Sequence, residues 1–199
     1  MGNSNTSHKI LSIAQDILAS EGLGAISFDA IARQLGRTKQ AVLYWYPTKQ
    51  DLLSAMFLPW LEAETDTAEK ATANVTNRTE AIHAFVSAVA HFHLRYLDRF
   101  RMMYLLPQTM GSKSINPEQL IVDDELYAIT DRLYLTLAVH LGADENSARK
   151  EAVAIHSSVL GLVMMFALAD ALGDPLKHSE TELIEALITS FTSSSGTRE

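Results

Sequence analysis

Apolar residues recur along most of the chain at the three-to-four-residue spacing of α-helices. One helical face runs through residues 10–18 and ends at Gly22. A second, shorter apolar stripe covers residues 28–35, between Ser27, a good N-cap, and Gly36, a good C-cap. We find no strand-like alternation, internal repeat or hairpin turn in the sequence. The pattern therefore predicts an all-α protein of about nine helices.

The segment "TKQAVLYWYPTKQDLL", residues 38–53, has a β-branched and aromatic centre that would also suit a buried strand. Thr38 is an N-cap candidate and Pro47 stops a helix, so the two frame a stretch of helix length. Val42 and Tyr46 lie one helical turn apart within it. We therefore predict a short third helix that turns these two side chains inward.

Capping residues mark the later helix boundaries. Thr48-x-x-Asp51 resembles a capping box and opens a fourth helix, which Pro59 is expected to kink or interrupt. Further helices are predicted to start at Asn77, at Asn116-Pro117, at Asp144 or Asn146, and at the capping box Ser179-x-x-Glu182.

The net charge of −8 argues at first against nucleic acid as a partner. Residues 1–53, however, carry five basic and four acidic groups, a sum of +1, while the rest of the chain sums to −9. Three of those five basic groups fall between Arg37 and Lys49. The acidity therefore belongs to another part of the molecule, and the N-terminal part remains compatible with DNA.

The absence of cysteine excludes disulfides and thiolate metal sites and fits a reducing compartment. No signal peptide is evident, and the longest apolar run, residues 159–169, is too short to cross a bilayer. His91 and His93 are two positions apart, so on a helix they point to different faces, unlike a metal-binding pair. We expect a cytoplasmic protein with no metal, no cofactor and no membrane contact.

Two short helices joined by a tight turn make a helix-turn-helix, whose second helix fits the major groove of DNA. The outward side of that helix would carry Lys39, Gln40, Tyr44 and Trp45. Thr38 and the free backbone N–H groups at the helix start suit phosphate oxygens. A generic helical bundle with solvated polar side chains would give the same bare pattern.

Residues 10–53, "ILSIAQDILASEGLGAISFDAIARQLGRTKQAVLYWYPTKQDLL", resemble the TetR family of bacterial repressors. The marks that carry the resemblance are Ala14, Gly22, Ser27, Ile31-Ala32, Leu35-Gly36, Thr38, and the aromatic-Pro-Thr-Lys-x-x-Leu pattern at 46–52. The resemblance implies a DNA-binding domain over residues 1–53 and a ligand-binding and dimerisation domain over residues 54–199.

The resemblance also implies roles for single residues. The family slots of Ser27, Thr38 and Lys49 commonly contact the DNA backbone, and those of Lys39, Gln40 and Trp45 commonly face bases or phosphates. Two positions depart from the family pattern. Arg37 stands where an apolar residue is usual and is expected to contact phosphate or form a local salt bridge. Tyr44 falls one place later than the usual aromatic, so either Tyr44 or Trp45 could hold the phosphate.

The C-terminal part would supply dimerisation and effector binding. The helix over 146–172 is apolar nearly all round from residue 159, so it is buried either in a monomer core or between two subunits. The resemblance favours a homodimer that uses this helix and the one over 180–193.

The resemblance also implies a pocket for a small-molecule effector in the middle helices. Soft or aromatic side chains there suit either plain core or a pocket wall. The candidates are Trp60, Phe85, Val89, Phe92, His93, Met103, Met110 and Phe166. The resulting hypothesis is a homodimeric repressor that binds a palindromic operator and is released by its effector.

Two other classes of function are compatible with a helical chain of this kind. An enzyme is disfavoured because the common catalytic motifs are missing, although His93 with Asp98 or Glu64 could form a hidden site. A helical adaptor that binds only protein would show an exposed apolar groove and no affinity for DNA.

Overall fold

The computed structural model describes residues 3–105, 120–142, 144–173 and 176–193. Over these residues it contains nine α-helices and no strand, so the all-α prediction is confirmed. The helices are α1 (Asn3–Glu21), α2 (Phe28–Leu35), α3 (Lys39–Trp45), α4 (Lys49–Thr72), α5 (Arg78–Leu94), α6 (Leu97–Phe100), α7 (Leu120–Ala138), α8 (Glu145–Leu172) and α9 (Glu180–Thr192). A short 3-10 turn at Leu23–Ala25 and a π-helical turn at Arg101–Leu105 complete the described elements.

Contacts between residues divide the chain into two compact units. The first contains residues 3–60 and 101–105, and the second contains residues 61–100 and the described residues from 120 onward. The predicted domain boundary after residue 53 falls inside α4. This helix continues through Pro59, so the expected interruption there is not observed.

The first unit is built around the helix-turn-helix, and its helix ends follow from the capping residues. The Ser27 side chain caps α2, and Gly36 ends it in the left-handed conformation with φ of 66°. Thr38 caps α3 in the same way as Ser27 caps α2. Val42 and Tyr46 are buried in the core of this unit, as predicted, and the strand interpretation of residues 41–46 is excluded.

The second unit is held together by α5, α7, α8 and α9. Predicted caps are confirmed at Asn77 for α5, at Asp144 for α8 and at Ser179 for α9, where the full capping box forms. The predicted helix start at Asn116-Pro117 lies outside the described residues.

Helix α8 packs against α5 and α7 and buries one face. The buried residues recur every three or four positions: Ala148, Ala152, Ile155, His156, Val159, Val163 and Ala167. By length and composition alone α8 could also cross a membrane, but core helices of soluble proteins can have the same length and composition. Its regular buried face fits the role of a core helix.

Candidate DNA-binding surface, buried cluster and clefts

Helix α3 presents a polar and aromatic face to solvent. Lys39 and Gln40 are exposed in its first turn, and Tyr44 is 76% exposed in its last. Trp45 is half-buried and packs against the core of the first unit, with its ring 5.5 Å from that of Tyr44 in an edge-to-face arrangement. Tyr44 is therefore the more accessible of the two candidate aromatics, while Trp45 also holds α3 in place.

Exposed hydroxyl groups cap both helices of the helix-turn-helix. The Ala30 N–H donates to Ser27 Oγ at 3.2 Å, and the Ala41 N–H donates to Thr38 Oγ1 at 3.3 Å. A helix start combines unsatisfied N–H groups with the positive end of the helix dipole, which favours anions. The starts of α2 and α3 are therefore two candidate anion-binding positions beside the exposed side chains of α3.

A third helix start adds Lys49. The Thr48 N–H donates to Asp51 Oδ2 at 2.8 Å and the Asp51 N–H donates to Thr48 Oγ1 at 3.1 Å, the reciprocal pair predicted for α4. Lys49 is exposed as the first residue of that helix. Arg37 is also exposed and forms no ion pair within the described part of the chain, so the expected local salt bridge is not observed.

Asp29 is a component of this surface that the sequence did not identify. Its Oδ2 lies 2.9 Å from Lys39 Nζ, which joins the first turn of α2 to the first turn of α3. Both side chains are about half exposed or more, so this pair contributes little to stability. The ion pair does keep the ammonium group of Lys39 next to the first turn of α2.

The candidate ligand residues occupy several different environments. Phe85, Val89 and His93 are fully buried on α5, and Met103 is 2% exposed in the first unit. Trp60 packs against the core of the first unit. Phe92 and Phe166 border two separate clefts. Met110 lies outside the described residues.

A buried polar cluster lies at the centre of the second unit. Glu64 Oε1 is 2.9 Å from His156 Nε2 and 3.1 Å from His93 Nε2, and all three side chains are almost inaccessible to solvent. Burial alone would raise the pKa of Glu64. The short contacts and charges of His156 and His93 outweigh that effect and lower the pKa to about 2. The carboxylate is therefore ionised at neutral pH.

His93 and Glu64, one of the two pairs considered above as a hidden site, do lie in contact, and His156 is the member that the sequence did not reveal. The three residues come from α4, α5 and α8. Within the described residues, no group of three or more histidine or acidic side chains has the arrangement of a metal site. The cluster connects three helices through one buried carboxylate.

Among the described residues of the second unit, two surface clefts have the size of a ligand site. The larger, of about 670 Å³, is bordered by Phe92, Arg95, Tyr96 and Arg99 near the end of α5. The smaller, of about 520 Å³, is bordered by Phe166 and Asp170 of α8 and by the start of α9. Both volumes are within the range of small-molecule sites.

Comparison with solved structures finds the same fold in several bacterial proteins. A TetR-like transcriptional regulator from Rhodococcus sp. RHA1 is 19% identical and superimposes with a TM-score of 0.59 over 99% of this chain and 100% of its own. PfmR, a TetR-family regulator from Thermus thermophilus, is 22% identical with a TM-score of 0.60 over 90% and 94% of the two chains. A TetR/AcrR-family regulator from Thermobifida fusca is 23% identical with a TM-score of 0.54 over 98% and 100%.

The chain has the TetR-family fold. No family model matches the sequence, and no curated protein matches it significantly. The TetR-family fold extends over nearly the whole chain, whereas the sequence resemblance rests on residues 10–53. The helix-turn-helix of α2 and α3 and the larger helical unit are thus both parts of one known architecture.

Proposed function

We propose that the protein is a homodimeric, ligand-responsive transcriptional regulator of the cytoplasm. In this proposal it binds a palindromic operator as a repressor and is released by a small-molecule effector. The observation that carries the proposal is the exposed face of α3, flanked by the capped starts of α2, α3 and α4 on a TetR-family fold. The names of the three structural neighbours described above, all regulators, support it.

Phosphate contacts would supply most of the affinity and its dependence on salt. Lys49, Arg37 and the capping hydroxyls of Ser27 and Thr38 are exposed at helix starts or beside them, where phosphate oxygens bind well. Gln40 is the best candidate for reading a base, because its amide can pair with adenine through two hydrogen bonds. Lys39 could donate a hydrogen bond to guanine once its ion pair with Asp29 is broken.

Dimerisation is supported by an exposed apolar stripe on α8. Met164, Leu168 and Leu172 follow one another at intervals of four residues, and Leu172 is 69% exposed. On α9, Leu183 and Leu187 are half-buried. Packing these helices against their copies would bury the stripe and place two reading helices on one palindrome.

The effector would act by favouring a dimer whose reading helices are wrongly spaced for the operator. The two clefts of the second unit are the candidate sites for such a molecule. No catalytic step is part of the proposal.

A gel-shift titration with the DNA upstream of the protein's own gene tests the proposal. We expect a specific complex that weakens steeply with salt. Lys49→Ala should weaken binding and lower the slope of log affinity against log salt by about 2 in a dimer, about 1 per subunit. Lys150→Ala, an exposed lysine on α8, is the matched control and should leave both unchanged. If no salt-sensitive specific complex forms, the adaptor hypothesis replaces this one.

The two aromatic residues can be separated by conservative changes. Tyr44→Phe removes only the exposed hydroxyl, and we expect weaker binding at all operator sequences if that hydroxyl donates to a phosphate. Trp45→Phe keeps an aromatic ring in the core and removes the indole N–H. A loss of affinity confined to Trp45→Phe would assign the phosphate contact to Trp45 instead.

A further inference from the structure

The larger cleft differs in charge from the part of the chain that contains it. Residues 54–199 sum to −9, yet the cleft is bordered by two arginines, Arg95 and Arg99, and one carboxylate, Glu180, with His91 at its edge. A cationic recess in an acidic protein concentrates the local field and attracts anions. Its volume of about 670 Å³ is suited to a small organic molecule.

Arg99 packs against two aromatic rings of the cleft. Its guanidinium lies 3.9 Å from the centroid of the Phe92 ring and 5.1 Å from that of Tyr96. Its Nη2 donates to the backbone carbonyl of Phe92. Because stacking and this hydrogen bond already fix the side chain, little conformational entropy remains to be lost when a ligand binds.

Hydrogen-bond donors remain on the fixed guanidinium. Among the described residues, the hydrogen bond observed for Arg99 is the one from Nη2 to the Phe92 carbonyl, and Nε is buried without a hydrogen-bond partner. The planar fork of arginine matches a carboxylate in geometry and charge. Arg95, the C-cap of α5, is exposed and adds a second positive charge to the cleft.

The rest of the wall is suited to a flat apolar group. Phe92, Leu94 and Tyr96 border the same cleft, and Tyr96 is 57% exposed. The aromatic rings can contact an apolar group, and the arginine beside them can bind a negative charge, so the cleft suits a ligand that has both. Glu180 on the first turn of α9 opposes an anion and lowers its affinity.

We infer that this cleft binds small aromatic carboxylates, with the carboxylate on Arg99 and the ring against Phe92 and Tyr96. That such a molecule is the effector rests on the proposed function, whereas the binding itself does not.

Titration calorimetry without DNA tests the binding on the full chain. The probes are benzoate, 2-naphthoate and 2-naphthalenemethanol, which keeps the ring system and lacks the charge. We expect 2-naphthoate to bind at least tenfold more tightly than the alcohol, since hydrogen bonds to charged groups are the stronger ones. Equal binding of the two, or a Kd weaker than about 1 mM for both carboxylates, would overturn the inference.

Substitutions identify the residues responsible. Arg99→Gln should weaken 2-naphthoate about tenfold to hundredfold, and Arg99→Lys should restore only part of the affinity. Glu180→Gln should strengthen it severalfold because a repulsive charge is removed. The matched control is Arg149→Gln, since Arg149 also lies over an aromatic ring, 5.5 Å from Tyr134, but does not border the cleft.

Unchanged affinity in Arg99→Gln, with a native helical spectrum, contradicts the assignment. Should that variant fail to fold, Arg95→Gln and Glu180→Gln, at exposed positions, must still shift the affinity in opposite directions. A gel shift with 2-naphthoate then examines the regulatory role separately. If 2-naphthoate binds through Arg99 but does not release DNA, the cleft is a binding site but not the effector site. If the protein forms no DNA complex at all, the proposed function is wrong, and the binding site in the cleft is unaffected.

Discussion

Replacing Glu64 by glutamine removes the charge of the buried cluster and keeps the shape of the side chain. The pKa of Glu64 lies at about 2 rather than at the ordinary 4.5, because the contacts of His156 and His93 more than offset the cost of burial. That difference corresponds to about 3 kcal/mol of stabilisation of the ionised form in the folded state. Glu64→Gln should therefore lower the free energy of unfolding at pH 7 by about 3 kcal/mol.

The same shift sets the dependence on pH. Because the pKa of Glu64 is lower in the folded protein than in the unfolded chain, its stabilisation is complete above pH 4.5 and is lost as the pH falls towards 2. The difference in stability between wild type and Glu64→Gln should thus shrink as the pH falls below 4.5 and reach about half its value by pH 3. The other carboxylates affect both proteins alike and cancel in the comparison.

Urea titrations followed by circular dichroism, at one fixed chain concentration, measure this difference at several pH values. The melting temperature at pH 7 should fall by about 6–12 °C in the variant. Glu62→Gln is the matched control, because Glu62 is on the same helix, 58% exposed and 4.0 Å from Arg132. It should change stability by less than about 1 kcal/mol. A Glu64→Gln effect as small as that of the control, or one that does not vary between pH 7 and 3, would refute the reasoning.

Three further predictions concern other contacts. Arg78→Gln breaks the two hydrogen bonds of 2.6 and 2.8 Å to Glu151 that join α5 to α8. The free energy of unfolding should fall by about 1 kcal/mol, and the melting temperature should fall with it. An unchanged melting curve would contradict this. Ser179→Ala removes the capping box of α9 and should cost about 1 kcal/mol, with faster amide exchange in the first turn of that helix; equal exchange rates would speak against the cap. Asp29→Asn releases Lys39 and should raise operator affinity severalfold in the gel shift, a result that depends on the proposed function and fails if affinity is unaltered or falls.

Helix ends could be predicted from the sequence because the interactions that fix them are local. Ser27, Asn77 and Ser179 each accept a hydrogen bond from the N–H three residues later, so the residue type and the spacing carry the information. The same holds for Gly36, whose positive φ suits a residue without a side chain. The all-α fold and the helix-turn-helix followed from such signals.

The buried cluster could not be found in this way. Glu64 lies among Glu62, Asp66 and Glu69, which together resemble an ordinary solvated acidic face. The latter three do meet Arg132 near the surface, while Glu64 alone is buried. Its partner on α8 is 92 positions away, and only the packing of three helices brings them together.

The difference in exposure between Tyr44 and Trp45 was equally beyond the sequence, although the inward side of α3 was predicted correctly. Tyr44 and Trp45 are adjacent aromatics of similar character, and either could face outward from a helix of this length. The packing of Trp45 against the core of the first unit separates them. The charge contact of Asp29 with Lys39 was missed for the same reason, because it depends on the angle between two helices.

The hydroxyl caps of α2 and α3 allow folding and binding to be separated experimentally. Aspartate caps a helix as well as serine or threonine does, so the fold alone would accept it at positions 27 and 38. A hydroxyl group can accept the backbone N–H and still donate its own hydrogen to a phosphate, whereas an ionised carboxylate has no hydrogen to donate and would repel that phosphate. If the proposed function holds, Thr38→Asp should therefore leave a folded protein that no longer binds DNA, and in the proposed homodimer such a variant would pair with wild-type subunits and inactivate them.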